Sequence, residues 1–181
     1  MDNKTNWLDY DVEEMVAGDK DALWHHLKPH KCFETQEQMI IVEGSGLVVK
    51  DIRGREYLDA TSGGVWSVMV GYGRDSIAEA VCEQLKKMPY FAGVFGNIPS
   101  IKFAKKLLEK LPNHDKVYFS NSGSEANEKA FKIIRQASHI DPARKGKFKI
   151  LYRDRDYHGT TIGAMSATGQ AQRKEGYGPF L

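Results

Sequence analysis

The chain has 181 residues, of which 41% are hydrophobic and 28% charged, a balance typical of a globular domain with a substantial core. Its formal net charge of +2 indicates neither a nucleic-acid partner nor an anionic membrane surface, and no apolar stretch approaches the roughly 20 residues that span a bilayer. Two widely separated cysteines, Cys32 and Cys82, indicate no metal site and no disulfide framework, so we expect a protein of the reducing cytoplasm.

The first part of the chain predicts a helix followed by a small antiparallel sheet. Residues 8–27 carry apolar residues at helical spacing and end in ALWHHL. Two runs rich in β-branched residues, 39–42 and 47–50, then flank the turn residues Gly44-Ser45-Gly46. Arg53-Gly54 marks a second turn before EYLD, which completes the pattern of an antiparallel meander.

From Asp75 onward the spacing of apolar residues becomes helical. One helix starts there, with Ser76 and Glu79 as a predicted capping box. A second helix is predicted to begin at Ser100, after Pro99, and to stop at Pro112.

The next segments predict a β-α-β unit. They are a strand at 117–120, a helix at 125–138 and a strand at 148–152, which would form a parallel pair with a right-handed crossover. Because the meander precedes this α/β part, we predict two domain segments, 1–72 and 73–181.

The stretch SNSGSEANEKAFK, residues 120–132, stands at the predicted entrance of this helix. One interpretation is a capping box of Ser122 and Glu125, worth about 1 kcal/mol and without further meaning. It does not explain Gly123 or Ser124, whereas a phosphate site at a helix N-terminus uses a glycine, free N–H groups and hydroxyls. Both interpretations are open from these residues alone.

A second informative stretch, RDRDYHGTTIGAMSATG, follows the next predicted strand. Ligands of parallel sheets gather at the carboxyl ends of strands, so Tyr157 and His158 should approach the phosphate loop. A tyrosine there can cover the face of a flat aromatic ligand. The alternative is a surface turn built on His158-Gly159.

Together, SNSGSEANEKAFK and the following YHG resemble the class III aminotransferases, which include the ω-amino acid:pyruvate aminotransferases. The segments IVEGSGLVVKDIRGREYLDATSGGVWSVMVGYGR and MPYFAGVF extend this resemblance over nearly the whole chain. The resemblance implies an α/β protein of the pyridoxal phosphate fold type I, present here only in its amino-terminal part. The helix and meander would belong to the small domain, and the remainder would start the large domain with its mainly parallel sheet.

The resemblance also assigns the cofactor contacts. Gly123 and Ser124 would hold the phosphate of pyridoxal phosphate through N–H groups and a hydroxyl, with Ser122 supporting the loop. Tyr157 would stack on the pyridine ring, and His158 would shape that turn.

Two further aromatic residues are assigned to the substrate pocket by the resemblance. Trp66 matches a residue that lines the pocket beside Tyr157, and Phe95 matches one contributed across the interface of a homodimer. From the residues alone, Trp66 is better explained by ordinary core packing. The family's Schiff-base lysine has no counterpart here, since Lys129 and Lys132 lie on the predicted exposed side of their helix and match no motif. We therefore expect no catalytic residue in this chain and no activity from it alone.

The implied reaction of the full-length protein is transamination with pyruvate as acceptor. The resemblance favours taurine as donor, with β-alanine, 4-aminobutyrate or ornithine as alternatives within the family. An alternative of a different class is a non-catalytic phosphate-ligand module or assembly subunit that keeps the same loop.

Overall fold

A computed structural model of the protein describes residues 9–26 and 28–178. Its regular elements, in chain order, are α1 (Val12–Ala22), β1 (Ile41–Ser45), β2 (Val48–Asp51), β3 (Glu56–Leu58), α2 (Asp75–Lys87), α3 (Ile98–Leu108), α4 (Gly123–Ile140) and α5 (Ile162–Ser166). Short 3-10 turns lie at His30–Glu34, Pro142–Arg144 and Ala171–Arg173, and an irregular helical turn lies at Ser62–Trp66. Over the described ranges, no helix has both the length and the apolar character that a membrane span requires.

The chain forms two compact units, one reaching to Phe91 and the other starting at Ala92. The first unit contains the meander together with α1 and α2, and the second contains α3, α4 and α5. The predicted division of the chain into segments 1–72 and 73–181 stays a prediction.

The predicted antiparallel meander is confirmed, with strand order β1-β2-β3. Its first turn is placed differently from the prediction, because Gly44 and Ser45 belong to β1 and pair with Val49 and Val48. Gly44 is needed for packing: a Cβ atom at this position would stand 2.7 Å from Cγ of Tyr72. The glycine therefore makes room for an aromatic ring.

The amino-terminal helix is shorter than the predicted range of 8–27, of which residues 8 and 27 lie outside the described residues. The side chain of Asp11 caps α1 by accepting from the N–H of Glu14 at 2.8 Å, and the helix ends at Ala22. Beyond that end, the His25 ring packs edge-on against buried Phe33, with 4.9 Å between ring centroids. The backbone of Leu23 is already extended, with φ of -98° and ψ of 132°, so the helix does not continue toward His25.

The two middle helices also differ from prediction at their starts. The capping box of Ser76 and Glu79 is wrong, because α2 begins at Asp75 and Ser76 already lies inside its first turn. Helix α3 begins at Ile98, two residues earlier than predicted, because Asn97 caps it by accepting from the N–H of Ser100 at 2.9 Å.

The predicted β-α-β unit is only partly present. Helix α4 forms, but the flanking segments 117–120 and 148–152 are not strands, and the parallel pair between them is wrong for this chain. A run of β-branched and aromatic residues favours an extended backbone, but a strand also needs a neighbour that supplies hydrogen bonds. The two segments do not supply it to each other.

The buried core is small, and the helices leave their apolar sides uncovered by the described residues. The buried hydrophobic residues are Phe33, Val49, Ile52, Ala164 and Ala167. By contrast, the apolar side of α2 is about half exposed, as is that of α4. The exposed residues are Ile77, Val81, Leu85, Ile133 and Ile134.

Candidate functional site

The N-terminus of α4 combines a cap with two unused hydrogen-bond donors. Ser122 is the N-cap, and its Oγ accepts from the N–H of Glu125 at 3.2 Å. The Glu125 carboxylate accepts in turn from the N–H of Asn121 at 2.9 Å. The predicted cap is thus present, but the N–H groups of Gly123 and Ser124 have no acceptor among the described residues. These donors lie in the first turn of an 18-residue helix, at the positive end of its dipole.

Ser124 connects this helix end to the turn that follows Tyr157. Its Oγ accepts from the N–H of Thr160 at 3.0 Å, and within the described chain no acceptor takes the hydroxyl hydrogen. The contact is close because residue 159 is glycine with φ of 139°. A Cβ atom at Gly159 would stand 2.8 Å from Cβ of Ser124 and 2.9 Å from Cβ of Ala164. The Ser124 hydroxyl is therefore held in place while its proton remains available to an incoming anion.

The turn carrying Tyr157 and His158 is closed by its own backbone and by a buried threonine. The N–H of Arg155 donates to the carbonyl of Gly169 at 3.0 Å, and the N–H of His158 donates to Oγ1 of Thr168 at 3.1 Å. Thr168 is fully buried and donates onward to the carbonyl of Ala164. The backbone on both sides of Tyr157 is fixed in this way.

The ring of Tyr157 is half exposed, and the guanidinium of Arg173 lies 5.0 Å from its centroid. This is the geometry of a cation–π contact. Two polar atoms, Oγ of Ser120 just before α4 and Nδ1 of His158 next to Tyr157, are buried and have no partner within the described residues. Buried polar atoms without a hydrogen-bond partner are uncommon in native proteins, and here they indicate a partner outside the described residues.

These residues fit a phosphate ester that carries an aromatic ring. Gly123 and Ser124 offer two N–H donors and a hydroxyl, which suit a phosphate at a helix N-terminus. Tyr157 offers the flat face of its ring, and it lies in the same turn as Thr160, which bonds to Ser124. The structure thus brings Ser122, Gly123 and Ser124 together with the turn of Tyr157 and His158.

The other two predicted site residues, Trp66 and Phe95, belong to other segments of the chain than the α4 N-terminus and the turn of Tyr157. Trp66 belongs to the first unit and is 77% exposed, so it is not the core residue that the sequence alone favoured. Phe95 lies in the second unit, in the turn before α3, where its N–H donates to the carbonyl of Ala92 at 3.0 Å. Their roles in a substrate pocket stay predictions.

Trp66 is carried by a strained loop that is organised around one carboxylate. The main chain of Trp66 has a φ of 61°, and Asp59 accepts from the N–H of Gly63, the hydroxyl of Tyr72, and the N–H and hydroxyl of Thr61. The Gly63 N–H and then the Tyr72 hydroxyl hold the pKa of Asp59 well below its usual range. The loop conformation therefore depends on the ionised form of this aspartate.

Sequence reasoning missed the side chains that connect α4 to the turn. Nδ2 of Asn127 donates to the carbonyl of His158 at 2.6 Å, and Glu128 accepts from the hydroxyl of Thr161 at 2.5 Å. The signal was present, since Ser124, Asn127 and Glu128 are spaced i, i+3 and i+4 and share one face of the helix. Lys129, predicted to be exposed, is half-buried and donates from Nζ to the carbonyl of Phe119 at 2.6 Å.

Comparison with known proteins, by family and by individual relatives, indicates aminotransferases in both cases. Residues 32–181 match the family described as aminotransferase class-III. A hypotaurine/taurine–pyruvate aminotransferase of Paracoccus denitrificans is 54% identical over 170 residues, which are 94% of this chain but 37% of the relative. The chain thus spans little more than a third of the length of such relatives.

Two solved structures extend the comparison. A Bacillus anthracis aminotransferase is 42% identical with a TM-score of 0.85, over 94% of this chain and 37% of that one. An ω-transaminase of Pseudomonas jessenii, solved in complex with PMP, is 30% identical with a TM-score of 0.84, over 92% of this chain and 37% of that one.

Proposed function

The chain belongs to the class III aminotransferases, and we propose that it forms the amino-terminal part of a pyridoxal-phosphate-dependent aminotransferase. Its fold is the corresponding part of fold type I, as the sequence predicted. The observation that carries the proposal is the bond between Ser124 and Thr160. It joins a helix end, whose first two N–H groups have no acceptor among the described residues, directly to the turn of an aromatic residue.

In the proposed complex, the residues of this chain bind and orient the cofactor. The N–H groups of Gly123 and Ser124 and the hydroxyl of Ser124 donate to the phosphate, and the dipole of α4 favours its charge. Ser122 keeps the first turn of the helix closed. The ring of Tyr157 covers one face of the pyridine ring and excludes water from it.

Pyridoxal phosphate supplies an electron sink for the electron pair left when a proton leaves the carbon beside the amine. The base for that proton is not among the residues assigned here, and in our proposal it comes from the part of the protein that follows this chain. Our proposal therefore places binding and orientation in residues 120–169 and the proton transfer elsewhere.

The proposed donor carries its acid group at a distance from the reacting amine, with taurine first and β-alanine next, and pyruvate is the proposed acceptor. The relative from Paracoccus denitrificans, named for hypotaurine, taurine and pyruvate, supports this choice at 54% identity. Trp66, Tyr157 and Phe95 are proposed as the aromatic walls that accommodate an aliphatic stem.

The cofactor proposal is tested by titrating the apo form of the full-length protein with pyridoxal phosphate and following its visible absorbance. We expect saturable binding and turnover of an amine with pyruvate. Binding of inorganic phosphate without binding of pyridoxal phosphate would instead support the non-catalytic phosphate module.

The donor proposal is tested by comparing kcat/KM for taurine, β-alanine, ornithine and 4-aminobutyrate, each with pyruvate. A preference for ornithine or 4-aminobutyrate of about tenfold, which is about 1.4 kcal/mol in transition-state binding, contradicts taurine and leaves the aminotransferase proposal intact.

We also propose a homodimer, with Phe95 at its interface, and a cytoplasmic location. Both rest on the family resemblance and on the sequence, and the free thiols of Cys32 and Cys82 suit a reducing compartment. Sedimentation of the full-length protein tests the dimer.

A further inference from the structure

Three side chains on one face of α4 hold the segment that follows Tyr157. Ser124 accepts from the N–H of Thr160, Asn127 donates to the carbonyl of His158, and Glu128 accepts from Thr161 and Ala164. The three side chains lie within about one turn of the helix, and their partners lie between residues 158 and 164. The two pieces of chain are therefore joined at several points, and not at a single one.

Glu128 also performs the capping of the next helix. Helix α5 follows Thr161, whose own side chain makes no cap bond to the helix. Instead, Oε1 of Glu128 accepts from both the Thr161 hydroxyl, at 2.5 Å, and the N–H of Ala164, at 2.9 Å. The fit is tight, because a Cβ atom at Gly163 would stand 2.8 Å from Cδ of Glu128. A helix on one side of the turn thus supplies the cap for the helix on the other side.

Asn127 acts at the residue next to Tyr157. The carbonyl of His158 accepts from Asn127 Nδ2, and the N–H of the same residue donates to Thr168. Both main-chain polar groups of His158 are therefore occupied, one toward α4 and one within the turn. These bonds hold the peptide groups on both sides of His158, the first of which directly follows Tyr157.

We propose that Asn127 and Glu128 are positioning residues, which fix the ring of Tyr157 relative to the phosphate-binding N–H groups of α4. The inference rests on the proposed function, because it concerns how the two ends of pyridoxal phosphate are matched. A rigid ligand held at its phosphate and at its ring requires a set distance between the two contacts. Here that distance is determined by side chains of the same helix that binds the phosphate.

The test uses the apo form of the full-length protein and four variants. Asn127→Asp keeps the shape but replaces the donor with an acceptor that faces a carbonyl, and Glu128→Ala removes the cap of α5. Glu128→Gln is the conservative partner, since both bonds go to one oxygen, which an amide can supply. Gln136→Glu makes the same kind of amide-to-acid change as Asn127→Asp at an exposed position of α4.

Three quantities are measured: the Kd of pyridoxal phosphate, the induced visible circular dichroism of the bound cofactor, and the Ki of inorganic phosphate as a competitor of pyridoxal phosphate for the apo form. We expect Asn127→Asp and Glu128→Ala to raise the Kd of pyridoxal phosphate about tenfold and to change the induced circular dichroism. The Ki of inorganic phosphate should stay as in the wild type. Glu128→Gln and Gln136→Glu should resemble the wild type in all three.

Equal weakening of pyridoxal phosphate and inorganic phosphate would overturn the inference, because it would show a general loosening of α4. So would wild-type spectra for Asn127→Asp and Glu128→Ala, or a Glu128→Gln variant as impaired as Glu128→Ala. If the wild-type protein itself bound no pyridoxal phosphate, the proposed function would fail first, and the two failures are thereby distinguished.

Discussion

Replacing Gly159 with alanine should disturb the site at the point where the aromatic turn meets the phosphate-binding helix. The new Cβ atom would stand 2.8 Å from Cβ of Ser124 and 2.9 Å from Cβ of Ala164, where ordinary contacts begin at 3.4 Å. Both neighbours belong to helices, so neither can move freely. Overpacking of this kind costs about 1–3 kcal/mol, and the positive φ of 139° adds about 1–2 kcal/mol for a residue with a side chain.

Gly146→Ala is the matched control for this substitution. Gly146 also has a positive φ, 85°, but a Cβ atom there would have no neighbour within 4 Å. The control therefore pays the backbone strain of about 1–2 kcal/mol and no overpacking. The difference between the two variants measures the overpacking against Ser124 and Ala164.

Two measurements on the full-length protein check the reasoning. Urea unfolding should show Gly159→Ala to be less stable than Gly146→Ala by about 1–3 kcal/mol. Titration of the apo form should show pyridoxal phosphate bound about 10- to 100-fold more weakly by Gly159→Ala. The reason is that the displaced Ser124 hydroxyl no longer donates a hydrogen bond to the charged phosphate. If the two variants were equally stable and bound the cofactor equally well, the close contact would have no functional meaning.

The remaining predictions concern the helix cap, the loop of Trp66 and the isolated chain. Ser124→Ala should weaken pyridoxal phosphate binding by about 1.5–3 kcal/mol, whereas Ser122→Ala should mainly cost about 1 kcal/mol of stability through the lost cap; equal losses of affinity would contradict this division. Asp59→Asn should destabilise the full-length protein in urea at neutral pH. Because the folded-state pKa of Asp59 is lowered from 3.8, that difference should shrink as the pH falls below about 4, and a constant difference would exclude this role for its charge. The isolated 181-residue chain should bind a hydrophobic dye, since its apolar helix sides are exposed. It should show no transamination of taurine, since no lysine in it matches the Schiff-base lysine of the family; turnover that survived rigorous purification would refute this.

Local patterns in the sequence determined most of the secondary structure. The meander follows from two runs of β-branched residues and the turn at Arg53-Gly54, and the cap of α4 follows from Ser122 and Glu125 three residues apart. These features depend on neighbours within a few residues, and such interactions are the same wherever the segment lies. The sequence also determined the family, because two separated motifs together are far more specific than either one.

The tertiary structure decided which groups meet. Glu128 caps α5, whose start lies more than 30 residues away along the chain. Gly44, predicted to mark a turn, makes room for the Tyr72 ring. The segments 117–120 and 148–152 have the composition of strands but not the pairing. Composition sets what a backbone segment favours, whereas hydrogen bonding and close packing need a second segment whose position only the folded chain supplies.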